Sequence, residues 1–97
     1  MAQTPEAKVK QRVVKKLKEM GAYYFFPVTG GFGNSGVPDI VGCIRGQFFA
    51  IECKAGRNTT TRLQDSHLAE IRKQGGVALL INGDNAHLVE ELLGDFL

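Results

Sequence analysis

The sequence predicts an α/β fold, a mixed sheet flanked by helices in the order α-β-β-β-α-β-α. Three observations carry this. Apolar residues recur at helical spacing in three segments, near the start, after residue 61 and near the end. Between them lie four runs rich in aromatic and branched residues, two of which are separated only by Arg45-Gly46, the length of a hairpin loop. The last run follows a helical segment instead of a turn, and a chain that combines a hairpin with a crossover builds a mixed sheet.

The elements follow in order. Thr4-Pro5 opens the first helix, because proline is tolerated where its missing N–H is not needed, and Glu6 suits the first turn. Val9, Val13, Leu17 and Met20 form its apolar stripe, Lys8, Arg12, Lys15 and Lys16 lie mostly off it, and Gly21 ends it. Tyr23 to Val28 reads as a strand whose Pro27 belongs near an edge or end, with its aromatics expected to pack against the core and not to stack on bases. Pro38 to Ile44 and Gln47 to Lys54 are the hairpin strands. Thr61 and Gln64 fit a capping box for a helix that carries Leu68 and Ile71 and stops at Gly75-Gly76. Val77 to Ile81 is a short buried strand, and Asn85 caps a final helix carrying Leu88, Val89, Leu92 and Leu93.

Length and composition narrow the class. At 97 residues the chain reads as one domain, residues 1–97. Such a chain buries only a little over ~60% of the surface its unfolded form exposes. Hydrophobic residues at 43% and charged ones at 23% are globular proportions, unlike those of disordered, collagen-like or coiled-coil chains. No apolar run approaches the ~18 residues of a membrane span. Met1 to Pro5 lacks the charged start and apolar stretch of a secretory signal, so an intracellular, cytoplasmic protein is expected. Cys43 and Cys53 are too few for a disulfide scaffold, lack zinc-site spacing, and are expected to be small buried hydrophobes. His67 and His87 have no partner at helical spacing and are expected on helix surfaces.

The net charge of +2 hides an uneven distribution: residues 1–73 hold all 12 Lys and Arg against six acids, whereas residues 74–97 hold four acids and no base. A basic body suits a polyanionic partner, although a basic amphipathic helix is often only a solvated face. Thr29 to Gly36 holds four glycines in eight residues, and Gly31 to Gly36 spells G-x-G-x-x-G. The dinucleotide fingerprint needs its last glycine to open a helix that faces the pyrophosphate. Here Val37-Pro38-Asp39-Ile40-Val41 follows and resists helix, so no nucleotide cofactor is expected. The loop reads either as a plain surface loop or as a rim whose amides approach phosphates.

The informative constellation is Pro38-Asp39 with Glu52-Cys53-Lys54. With Arg45 and Gly46 as the two loop residues, hairpin partners sum to 91, so Ile44 faces Gln47, Cys43 faces Phe48 and Asp39 faces Glu52. Opposed residues share a face with Cβ atoms about 4.5–5.5 Å apart. Strand alternation adds Lys54 to that face and sends Cys53 to the other, so a Cys43–Cys53 disulfide needs a register shift. Two carboxylates this close repel unless one takes a proton or a cation lies between them, and Mg²⁺ is the natural hard cation for such oxygens. Lys54 is then placed to orient an attacking water or help deprotonate it, which points to phosphodiester hydrolysis. The alternative is a surface Asp/Glu/Lys cluster making an ordinary salt bridge.

Gly36-Val37-Pro38-Asp39-Ile40, the hairpin, Ile51-Glu52-Cys53-Lys54, then Leu63-Gln64 and a helix ending at Gly75-Gly76 resemble the VRR-NUC family, the virus-type replication-repair nucleases of the PD-(D/E)XK superfamily, over roughly residues 6–82. The resemblance implies a restriction-endonuclease-like core and a Mg²⁺-dependent DNA endonuclease in which Mn²⁺ substitutes. It implies that Asp39 and Glu52 bind metal together with the Cys53 backbone carbonyl, and that Lys54 serves the nucleophile. It also implies a first-helix glutamate, here Glu6, as a secondary metal or water ligand, and a glutamine, Gln64, beside the catalytic lysine. Glu6 has a plainer reading as a helix-dipole acid, worth only ~0.3–1 kcal/mol, and Gln64 as part of the Thr61 capping box. Lys8, Arg12, Lys15, Ser35, Arg57 and Arg62 are candidate DNA contacts.

Small stand-alone members of the family look like Holliday junction resolvases acting as homodimers, while the domain in the Fanconi-associated nuclease belongs to a larger flap-cutting enzyme. The absence of added domains favours the first type. The expected partners are branched DNA and a second copy, joined through exposed members of the Phe25/Phe26, Phe32 and Phe48/Phe49 sets, and the origin suggested is phage or bacterial. A flap or nicking subunit of a repair complex and a non-catalytic DNA-binding module are the competing functions.

Overall fold

The computed structural model describes residues 4–28 and 36–95. The glycine-rich rim, Thr29 to Ser35 with Phe32, lies outside the described residues.

Helix α1, Pro5–Met20, begins as the sequence predicts: Thr4 is extended and its Oγ1 accepts the Ala7 N–H at 3.1 Å. It ends at Gly21, whose φ of 76° is left-handed. Then come β1 (Tyr23–Phe25), β2 (Ile40–Ile44), β3 (Gln47–Cys53), α2 (Arg62–Lys73), β4 (Val77–Ile81), a 3₁₀ turn over Ala86–Leu88 and α3 (Val89–Gly94). The sheet order is β1-β2-β3-β4, with β1–β2 and β2–β3 antiparallel and β3–β4 parallel.

The hairpin register is the predicted one, running from Ile44 opposite Gln47 to Ile40 opposite Ile51. Arg45 at φ 49° and Gly46 at φ 81° are both left-handed, the geometry of the two-residue loop whose twist matches its strands. Ile40, Ile44, Phe49, Ile51 and Cys53 therefore face one way and pack with Val9, Val13 and Leu17 of α1 and Val89 and Leu93 of α3. Cys43, Phe48, Ala50 and Glu52 face the other way, where α2 packs over the β4 side of the sheet.

Three expectations change. The first strand is half the predicted length, and only Tyr24 of its aromatics packs on the core; Tyr23 and Phe25 are 69% and 47% exposed. The reason is position. β1 is an edge strand, and its pairing with Val41 and Cys43 puts Tyr23 and Phe25 on the sheet face that α2 leaves open. For the same reason Cys43 is exposed while Cys53 is buried, and both are free thiols on opposite faces. Asn85 does not cap a helix through its side chain: Oδ1 accepts the Asn82 N–H at 2.7 Å and Nδ2 donates to the Leu80 carbonyl at 3.1 Å, tying the loop to β4 and starting a 3₁₀ turn.

Gly42 shows how tightly β1, β2 and β3 meet. A Cβ there would lie 2.6 Å from Phe49 Cζ and also strike the Tyr23 carbonyl. Gly42→Ala should therefore destabilise the fold by about 1–3 kcal/mol, read as a lower urea midpoint with unchanged slope; an unchanged midpoint would mean that β1 yields without cost.

Candidate active site

Glu52, one residue from the end of β3, is 3% exposed and is the one charged residue in the buried set among the described residues. Burying a carboxyl requires partners. Its Oε1 has one, the Gln64 side-chain amide of α2, whose Nε2 donates at 3.4 Å. Its Oε2 is buried with none.

Asp39 precedes β2 by one residue, where the register sets it opposite Glu52. The ladder stops at Ile40 and Ile51, and the Asp39 side chain takes the next position: its Oδ2 accepts the Cys53 N–H at 2.8 Å. The Cys53 backbone, predicted to contribute its carbonyl to a metal, thus meets Asp39 through its N–H. Lys54 continues the parallel pairing by donating its N–H to the Ile81 carbonyl at 2.9 Å, which fixes where its side chain starts. The alternative of a locked salt bridge finds no such pair: among the described residues the ion pair formed is Lys16–Glu19, at 3.4 Å.

The electrostatics follow from this packing. Glu52 is pushed up to about 8, first by burial, then by the facing Asp39 carboxylate; Lys54 pulls it back in part and Glu6 adds to the rise. Burial, then Asp39 and Glu52, push the Cys53 thiol up to about 12, so it stays neutral and unreactive near neutral pH.

Gln64 joins the helix cap to the site. Its Oε1 accepts the Thr61 N–H at 2.9 Å in a complete capping box, while its Nε2 reaches Glu52. Glu6 is exposed in the first turn of α1, on the side toward the site. Among the described residues no three His, Cys, Asp or Glu side chains are gathered as a ready ligand set, so the structure brings together two carboxylates with Lys54 and Gln64 and leaves Glu6 at the margin.

The predicted DNA contacts are more dispersed. Lys8 and Lys15 are exposed on α1, Arg57 on the loop after β3 and Arg62 at the start of α2, while Ser35 lies outside the described residues. Arg12, though exposed, donates Nη1 to the Gly83 carbonyl at 3.1 Å and so braces the loop after β4. Sequence reasoning missed the close approach at Gly36, where a Cβ would lie 2.5 Å from Leu63 Cγ and 2.7 Å from its carbonyl carbon. Glycine there lets the chain entering Pro38-Asp39 press against the first turn of α2, the turn that carries Gln64.

The chain thus has a mixed four-stranded sheet flanked by helices, with Pro38-Asp39 leading into β2 and Glu52-Cys53-Lys54 at the end of β3. A solved structure described as a VRR_NUC domain superposes with a TM-score of 0.76 over 98% of this chain and 100% of that chain, at 18% sequence identity. No protein-family model and no curated protein matches the sequence.

The raised Glu52 gives a pH signature. In chelator, unfolded Glu52 loses its proton near its ordinary 4.5 while the folded carboxyl keeps it to about 8. The folded state therefore holds the extra proton in that window, and stability falls as pH rises through it. Urea midpoints across the window should decline more steeply for the wild type than for Glu52→Gln; parallel profiles would contradict the buried, raised carboxyl.

Proposed function

We propose that this chain is a metal-dependent DNA endonuclease that hydrolyses phosphodiester bonds in branched DNA, resolving four-way (Holliday) junctions as a homodimer. One observation carries the reading: the buried, unpartnered Oε2 of Glu52 beside Asp39. A polar atom left so is costly unless a ligand completes it, and two facing carboxylates supply the hard oxygens that Mg²⁺ or Mn²⁺ takes. The residues fit the ion that the fold family implies. Asp39 and Glu52 would hold it, with the Cys53 carbonyl as a third oxygen and Glu6 at the margin.

When bound, such an ion supplies Lewis-acid stabilisation of charge developing on the phosphate. The chain's own residues do the rest. Gln64 turns Glu52 by holding Oε1, which leaves Oε2 free, and the Cys53 N–H holds Asp39 by Oδ2. Lys54, as an ammonium, orients the attacking water and offsets the negative charge that gathers as the bond to phosphorus forms. The VRR-NUC fold supports the assignment to nucleases, and the basic residues 1–73 suit a nucleic-acid partner.

Cleavage of a panel of four-way, flap and duplex DNAs in Mg²⁺ tests this. Asp39→Asn and Glu52→Gln should abolish cutting while folding persists, and Lys54→Ala should slow the single-turnover rate by roughly a hundredfold. Undiminished cleavage in excess chelator would overturn the two-carboxylate site.

Resolution of a junction needs two nicks, and one Asp39/Glu52/Lys54 site makes one at a time, so a two-fold dimer matches the substrate's symmetry. The open sheet face suits the contact: Tyr23, Phe25 and Phe48 are 69%, 47% and 44% exposed there, and a stable contact needs about 800 Å² per partner. Light scattering without DNA should give a dimer mass at micromolar concentration; a monomer that leaves unpaired nicks in a junction would favour flap cutting or nicking instead.

A further inference from the structure

The aromatic run that the sequence presents as one block is divided by the sheet. Tyr23 and Phe25 lie on the open face, whereas Phe26, just past β1, lies against α1 with its ring centroid 5.9 Å from that of Tyr24. There it lines, with Ala7, Gln11 and Val14 and the lysines Lys10, Lys15 and Lys18, a mostly apolar groove of about 450 Å³. Lys10 Nζ sits 4.2 Å from the centre of the Phe26 ring, and Phe26 is 46% exposed. None of the three lysines is in an ion pair among the described residues. An apolar lining, a half-exposed aromatic ring and three ammonium groups outside any ion pair in one groove describe a ligand that is both anionic and flat.

We infer that this groove holds an unpaired DNA strand, with a base against Phe26 and the phosphates on Lys10, Lys15 and Lys18; the inference rests on the nuclease reading and, because a four-way junction is paired throughout, it favours flap cutting over junction resolution. Charge alone would suit a duplex equally, because both forms present phosphates. The aromatic ring in the groove decides between them. A duplex keeps its base faces stacked inside, while a single strand offers them to aromatic side chains. From Ala7 to Lys18 the groove follows α1 for about 16 Å, at 1.5 Å per residue. Its Ala7 end lies beside Glu6 and near Val9, which packs in the same core cluster as Cys53, the neighbour of Glu52.

Fluorescence anisotropy in chelator, where binding is read without turnover, tests this with a labelled oligothymidylate and a blunt duplex of equal length. Phe26→Ala should weaken oligothymidylate binding roughly five- to a hundredfold and leave the duplex affinity unchanged. The paired change Lys10→Gln and Lys18→Gln should lower the log–log salt slope for the single strand by about 1.4, at about 0.7 per phosphate contact. Lys18 is exposed and Lys10 half-buried, and neither belongs to the core, so this pair reports even if Phe26→Ala fails to fold. Unchanged single-strand binding in both variants, equal loss for strand and duplex, or conversion of a dimer to a monomer by Phe26→Ala would each overturn the inference. Failure of Mg²⁺-dependent cleavage with this binding intact would instead count against the nuclease reading alone.

Discussion

A carboxyl group buried at the end of a strand is the constraint around which the rest of the molecule is arranged. Glu52 could reach its position only through one register of the β2–β3 hairpin, and that register is set by a two-residue loop in which Arg45 and Gly46 both adopt left-handed backbone. A slip of one residue would turn Glu52 into the packed face and turn Phe49, Ile51 and Cys53 out of it. Asp39 then follows from the same register. It arrives where the ladder ends and takes up the Cys53 N–H, so the second carboxylate is tied to the strand that carries the first.

The supporting elements answer to the same constraint. Gln64 links the start of α2 to the site by using its acceptor for the Thr61 N–H and its donor for Glu52. Loosening the capping box would therefore also release Glu52, and a loss at the helix terminus would be felt as a loss at the site. Gly36 lets the chain before Asp39 close on that turn from the other side, against Leu63. Even so, Oε2 is left without a partner. A proton retained to high pH or a divalent ion resolves that shortfall, and the first gives way to the second as pH rises and metal is supplied.

Much of this was legible in the sequence because its signals are local. Thr4-Pro5, the Thr61/Gln64 box and the Arg45-Gly46 loop each act over a few residues, and from the loop alone the pairing of Asp39 with Glu52 could be counted out. What was not legible depends on how elements stack. Tyr23 and Phe25 carry a strong strand signal that does not reveal an edge strand with one face uncovered, and Cys43 is exposed for the same reason. Asn85 offers a cap by type, yet the turn at Asn82 competes for its side chain and wins. Arg12 looks like any surface base until the loop after β4 brings the Gly83 carbonyl within reach. The grouping of Lys10, Lys15 and Lys18 around Phe26 joins α1 to a residue beyond β1, a contact that no spacing within the helix contains.

The central claim is that Glu52 is held in a place that an ordinary carboxylate does not tolerate without a proton or a cation. Its side-chain carboxyl ¹³C resonance, followed through a pH titration with and without Mg²⁺, tests this most directly. The carboxyl should titrate far above its ordinary 4.5, at about 8, in chelator, and its midpoint should fall when Mg²⁺ is added. A resonance that titrates near 4.5 and ignores Mg²⁺ would contradict both the burial and the metal site.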